Sequence, residues 1–170
     1  PVMIATRSFR RIRFVLSRSY SHLFDSISLY YRYSIETREI KMKFGVHLPD
    51  AGNIATRENL VSVAQLADEL RFDSVFSSDH IAWPDPDSLK SKYPYNDEGD
   101  FIPVDTPWLD CIGSLIYIAG VTEHVQLGTT VIILGYRPVI QQAKLWATLD
   151  VLSGGRAILG VGVGWMKEEF

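Results

Sequence analysis

Ser153-Gly154-Gly155-Arg156-Ala157-Ile158-Leu159-Gly160-Val161-Gly162-Val163-Gly164-Trp165-Met166-Lys167-Glu168-Glu169-Phe170 packs a turn, a covered strand and a glycine-lined strand end into one run. Ser-Gly-Gly is turn chemistry, with residues free to take positive φ just after a helix. Ala157 to Val163 is apolar without alternation, as a strand covered on both faces requires. Gly160, Gly162 and Gly164 lie two apart, so along an unbroken strand they share one face. A bare face at a strand's C-terminal end admits the close approach of a flat ligand. Two other readings compete. A dinucleotide fingerprint needs a third glycine where Trp165 stands. Alternatively, the glycines serve only packing inside a crowded sheet.

The strands and helices upstream fit the same architecture. Lys43 to Leu48 is a short apolar strand, stopped by Pro49-Asp50-Ala51-Gly52-Asn53. Thr56 can cap a helix whose Leu60, Ala64, Ala67 and Leu70 recur at helical spacing. Phe72 to Ser78 is a second strand, ending on Asp79-His80. Residues 81–106 are rich in Pro, Asp, Tyr and Ser, and so long a connection reads as a lid or binding loop. Thr106-Pro107 predicts the start of a second helix reaching about Val121. Val125 to Leu134 is a third strand, interrupted by Gly128-Thr129-Thr130. Pro138 opens a third helix to about Leu152, and the run quoted above supplies the fourth strand. The order βαβαβαβ predicts a parallel sheet, with functional residues at the strands' C-terminal ends.

Composition bounds the partners. The 170-residue chain is 46% hydrophobic and 22% charged, which fits one globular domain. Residues 1–41 hold eight Lys/Arg against three Asp/Glu, and the remainder holds nine against seventeen. An acidic body argues against nucleic acid as the main partner. The single cysteine, Cys111, excludes an internal disulfide and suits a reducing, cytoplasmic compartment. There is no uninterrupted apolar run of the ~18 residues a membrane helix needs. The basic 1–41 segment is rich in Arg, Ser and Tyr and reads as an extension outside the fold, with 42–170 as the folded unit. A cleaved transit arm and a genuine basic arm that binds membrane or nucleic acid are the alternatives.

Three separated motifs carry a family resemblance. Phe72-Asp73-Ser74-Val75-Phe76-Ser77-Ser78-Asp79-His80, Gln126-Leu127-Gly128-Thr129-Thr130-Val131-Ile132-Ile133-Leu134, and Ser153 through Phe170 resemble the bacterial luciferase-like oxidoreductases. The Tyr93-Pro94-Tyr95 loop and Asp105-Thr106-Pro107-Trp108-Leu109-Asp110 are similar to the branch that uses the deazaflavin coenzyme F-420. The resemblance covers Met42 to Phe170. It implies an α/β fold of the (β/α)8 TIM-barrel family, of which this chain holds only the first four βα units. A half-barrel leaves strand edges unpaired, so the expectation is a fragment of a longer reading frame, inactive by itself. The resemblance leaves a homodimer open.

The resemblance also assigns roles. His80 is similar to an active-site base or proton relay, and an imidazole suits proton transfer at neutral pH; Asp79 could orient it, or only cap the turn. Thr130-Val131 matches a position where the family has a non-prolyl cis peptide behind the flavin ring. Gly162 and Gly164 match a cofactor-facing strand end. Arg137 could meet a phosphate or an acidic substrate, or be a plain surface residue. His47 ends the first strand, where it could line the pocket or fill the barrel. Trp83, Trp108 and Trp165 could wall the pocket or belong to the core. Cys111 and His124 read as structural, and Glu168-Glu169 as supports of a helix N-terminus. Arg71 stands where relatives often have glycine. No metal-ligating or P-loop spacing occurs, so neither a metal nor a nucleoside triphosphate is predicted.

Coenzyme F-420 is the favoured cofactor and FMN the alternative, because Val163 stands where some flavin-type relatives carry a basic residue. The expected activity is hydride transfer or monooxygenation of a small organic substrate. The competing reading is a non-catalytic half-barrel that only assembles with another chain.

Overall fold

A computed structural model of the chain describes residues 42–82, 92, 93, 97, 99, 103 and 105–170. Residues 1–41, read above as an extension, and most of 81–106, read above as a lid or binding loop and including Trp83, Pro94 and Tyr95, lie outside the described residues. The elements are β1 (Gly45–His47), α1 (Arg57–Glu69), β2 (Ser74–Ser77), α2 (Cys111–Ala119), β3 (Gln126–Thr129), β4 (Ile132–Ile133), α3 (Val139–Leu152), β5 (Ala157–Ile158) and β6 (Val161–Gly162). The main sheet runs β1-β2-β3-β5 with every pair parallel, and β4 pairs with β6 in a second parallel pair beyond it.

Register sorts the side chains. Val46, Val75, Leu127 and Ala157 lie in one row across the sheet and join the helices in the core. Each fully buried aliphatic side chain there contributes roughly 1.5–3 kcal/mol. The opposite row is His47, Phe76, Gly128 and Ile158. Gly128 makes room for Phe76, since a Cβ at that position would come within 2.7 Å of the ring.

Capping and dipoles place the helices. Thr56 Oγ1 accepts the Asn59 amide at 3.2 Å and starts α1, and Leu60, Ala64 and Ala67 face inward. The loop between α2 and β3 is tied from both sides. Asp68 accepts the amides of Glu123, His124 and Val125 at 2.7–2.9 Å. Arg156 donates to the carbonyls of Ala119, Thr122 and Val125 at 3.0 Å, beside the C-terminus of α2, where a cation also complements the helix dipole. The Ser-Gly-Gly turn forms as expected after α3, with Gly154 at φ 70° and Gly155 at φ 89°.

Two expectations need correction, the start of the second helix and the course of the fourth strand. The second helix does not start at Thr106-Pro107. Pro107, Trp108 and Leu109 instead run along the β1–α1 loop, with Gly52 N donating to Pro107 O and Leu109 N to Asp50 O. The helix begins at Cys111, capped by Asp110, whose Oδ1 accepts Gly113 N at 2.7 Å. The third strand is interrupted as expected, with β3 ending at Thr129 and a cis peptide bond at Thr130-Val131. The fourth strand breaks between β5 and β6, so Gly160, Gly162 and Gly164 do not share one continuous strand face. Gly160 carries the break: its carbonyl accepts both Ile132 N and Thr129 Oγ1, each at 2.8 Å.

Two substitutions test this backbone in opposite directions. A Cβ on Gly160 would collide with the Thr129 carbonyl oxygen, a backbone atom that cannot rotate away. Gly160→Ala should therefore cost about 3 kcal/mol or more. Arg71 sits at φ 60°, so Arg71→Gly should raise stability by up to about 1 kcal/mol. Urea unfolding midpoints check both; an unchanged midpoint for Gly160→Ala would contradict the close approach.

Candidate active site

At the C-terminal ends of the strands, polar side chains from distant parts of the chain meet. Asp50, just past β1, is buried and accepts Ser77 Oγ at 2.6 Å and Ser78 N at 2.7 Å, which ties the ends of β1 and β2 together. One residue further, the Asp79 side chain is fully covered. It takes both guanidinium arms of Arg137 at 2.8 Å and the Ile133 amide at 2.9 Å. Arg137 Nη2 also donates to Asp110 Oδ2 at 2.6 Å. One cation thus joins the end of β2, the turn after β4 and the cap of α2.

The electrostatics follow from this sharing. Hydrogen bonding to Asp79 holds the Arg137 guanidinium even more firmly charged than usual, against the opposing effect of burial. Burial pushes Asp110 up, but the Gly113 amide and Arg137 outweigh it and leave the carboxyl below the ordinary range. Burial, reinforced by the nearby Asp79 charge, pushes the Cys111 thiol far up. Cys111 is therefore an inert core thiol, as expected.

His80 belongs to a second group. Its Nδ1 lies 2.7 Å from Glu169 Oε1, and Tyr136 donates its hydroxyl to the other oxygen of Glu169. Trp108 meets the imidazole edge-on, with ring centroids 4.7 Å apart. Burial, followed by the Glu169 contact, raises the Tyr136 phenol well above its usual value, so it stays a hydroxyl donor. Two expectations change here. Asp79 does not orient His80, because Arg137 and the Ile133 amide occupy it. Glu169 does not merely support a helix start: from the short 3-10 turn Lys167–Glu169 it reaches back across 89 residues to His80.

The remaining predicted residues are distributed as follows. The Thr130-Val131 cis bond lies where the resemblance implied it. Gly162 packs directly on the Val131 side chain, and the space beside Gly164 (φ 76°) is taken by the Phe170 ring. The closest approaches to these two glycines are thus made by the chain's own side chains. Arg137 is spent on carboxylates rather than turned outward to a phosphate. His47 is half-exposed, with Nδ1 2.9 Å from Leu48 O, and it takes no part in the His80 group. Trp165 stacks edge-on against Tyr93 at 5.9 Å. His124 lies exposed in the loop between α2 and β3. Among the described residues no His, Cys, Asp or Glu cluster could hold a metal ion, and no helix is long and apolar enough to cross a membrane.

A parallel α/β sheet with its polar cluster at the strands' C-terminal ends is an arrangement shared by barrel and doubly wound enzyme scaffolds. Residues 42–170 match the model of the luciferase-like monooxygenase family, and the chain belongs to that family. The fold is that of its (β/α)8 barrel, of which the described residues supply the four-stranded sheet β1-β2-β3-β5 and the three helices that join its strands. Similar proteins include the F420-dependent glucose-6-phosphate dehydrogenases of Microbacterium testaceum, 36% identical over 112 residues, and Nakamurella multipartita, 38% identical over 113. Each match covers 65% of this chain and 28% of the relative. Among solved structures, the monooxygenase RslO1 from Streptomyces bottropensis is similar at 26% identity and TM-score 0.54, over 76% of this chain and 35% of that one. The oxygenating constituent of 3,6-diketocamphane monooxygenase from Pseudomonas putida shares the fold at 15% identity and TM-score 0.52, over 74% and 30%.

Removing the shared cation should be costly. Arg137→Met leaves Asp79 buried without its counter-charge, a change of about 3–5 kcal/mol in unfolding free energy. Acid should act through Asp110. Its folded-state carboxyl titrates below its unfolded value, so its contribution is complete above about pH 4 and is lost as pH falls through the lower folded value. Asp110→Asn should therefore flatten the decline of stability below that pH, read as urea midpoint against pH; parallel curves would contradict the pairing.

Proposed function

We propose that this chain is the part of a coenzyme F-420-dependent oxidoreductase that seats the cofactor's ring and handles the substrate proton, acting on a small organic substrate. Residues 42–170 are the folded unit in this reading, and 1–41 an extension to it. The observation that carries the proposal is the His80 group: an imidazole at a strand's C-terminal end, held by a buried carboxylate and faced by an indole. Relatives whose names state F-420 dependence, at 36–38% identity, favour the deazaflavin. The chain spans only 28% of their length, so the activity is that of a whole protein containing these residues.

The residues fit the ring of such a cofactor better than its phosphate. Thr130 and Val163 are exposed, and Val131 and Gly162, which pack on each other, are half-buried, so this backbone is open enough to suit a flat ring. Arg137 is already paired twice, so a phosphate would be met by groups other than Arg137. When bound, the deazaflavin supplies two-electron hydride chemistry. The chain's own part is proton handling. If neutral His80 carries its proton on Nδ1, facing Glu169, its lone pair lies on Nε2, which can accept a hydroxyl proton as an alcohol becomes a carbonyl.

A second reading, an FMN-dependent monooxygenase, draws on the 26% likeness to RslO1. Spectral titration of the protein with F-420 and with FMN separates the two. The expected result is a saturable change with F-420 and a weaker one with FMN. In the whole enzyme His80→Asn should keep cofactor binding and lower turnover by about 10²–10⁴-fold. Failure of both cofactors to bind would overturn the proposal.

A further inference from the structure

We propose that Glu169 is the positioning residue that sets the tautomer of His80, with Tyr136 as the clamp that keeps the Glu169 carboxylate in place. This rests on the proposed function only for the use made of the imidazole; the tautomer itself is a property of the chain.

The geometry points this way on three counts. First, Glu169 Oε1 is 2.7 Å from His80 Nδ1, with the two side chains 2% and 16% exposed. An ionised carboxylate accepts and does not donate, so against it Nδ1 is the nitrogen that carries the proton in neutral His80. Second, the other carboxylate oxygen is occupied by the Tyr136 hydroxyl. The carboxylate therefore cannot swing away without breaking two contacts. Phe170 packs on the Tyr136 ring with centroids 4.9 Å apart and holds that donor in turn. Third, Asp79 and Asp110, the carboxylates at the neighbouring strand and helix ends, both face Arg137. Among the described residues, Glu169 is the carboxylate that meets the imidazole. Carboxylate–imidazole pairs of this kind fix which ring nitrogen carries the lone pair.

The test is ¹⁵N–¹H NMR of ¹⁵N-histidine-labelled protein without cofactor, at a pH where the imidazoles are neutral. The chain has four histidines, so His80→Asn identifies the His80 signals by their loss. The expected native spectrum shows His80 protonated on Nδ1 and bare on Nε2. Glu169→Ala should convert it to predominantly the Nε2–H form, which a free imidazole side chain prefers. Tyr136→Phe should leave the Nδ1–H form in the majority but speed its proton exchange with water. A native His80 protonated on Nε2 overturns the proposal outright, even if Glu169→Ala fails to fold. An unchanged tautomer in a folded Glu169→Ala protein also overturns it. Cofactor titration is a separate readout, so either conclusion can fail while the other stands.

Discussion

The Arg137 guanidinium is the constraint on which the strand ends depend. It lies between two carboxylates, one fully covered and one half-exposed, and bonds to both. A covered Asp79 without that partner would carry an uncompensated charge in a dry place. Because Asp79 also accepts the Ile133 amide, the same carboxylate fixes the backbone just past the break in the third strand. Asp110 caps α2 with one oxygen and meets Arg137 with the other. Three elements separated in sequence are thus registered by one planar, bidentate donor, a role that lysine's single ammonium could not fill.

Committing Asp79 to Arg137 has a consequence for its neighbour in sequence. Asp79 and His80 are adjacent but belong to separate groups, one built on Arg137 and one on Glu169. The first is structural in character, a charge network in which every member is paired. The second presents a titratable ring beside an indole, which is what proton transfer needs. At the other end of the sheet, Asp68 and Arg156 fasten the loop between α2 and β3 by side chain to backbone bonds. That end reads as stability, while at the strands' C-terminal ends the His80 group is the one proposed to act on substrate, as the site of a parallel barrel fold would lie.

Much of the fold was legible because its signals are local. Thr56 caps α1 within one turn, Ser153-Gly154-Gly155 turns the chain after α3, and Leu60, Ala64 and Ala67 repeat at helical spacing. Arg71 in the left-handed region and the Thr130-Val131 cis bond also lie where resemblance placed them. The start of α2 was misread because Thr106-Pro107 carries a stronger local start signal than Asp110-Cys111. Only the contacts of Pro107 and Leu109 with the β1–α1 loop hold that stretch extended. His80, Asp79 and Arg137 stand out in the sequence at strand ends, whereas Tyr136 carries no signal there, Glu169 reads as a helix support, and none of their pairings is legible. Arg137 to Asp79 spans 58 positions and His80 to Glu169 spans 89, and no periodicity or spacing reports a contact of that range. That Asp79 could orient His80 was one of two open readings, the other being a cap of the turn. Consecutive residues at a strand end point in different directions, and here that sends them to different partners.

The division of Asp79 and His80 into two groups is tested most directly by double-mutant cycles in urea unfolding, one on Asp79 with Arg137 and one on Asp79 with His80. The account predicts a coupling of about 2 kcal/mol or more for Asp79 with Arg137, and near-additivity, within about 0.5 kcal/mol, for Asp79 with His80. A larger coupling between Asp79 and His80 than between Asp79 and Arg137 would contradict it.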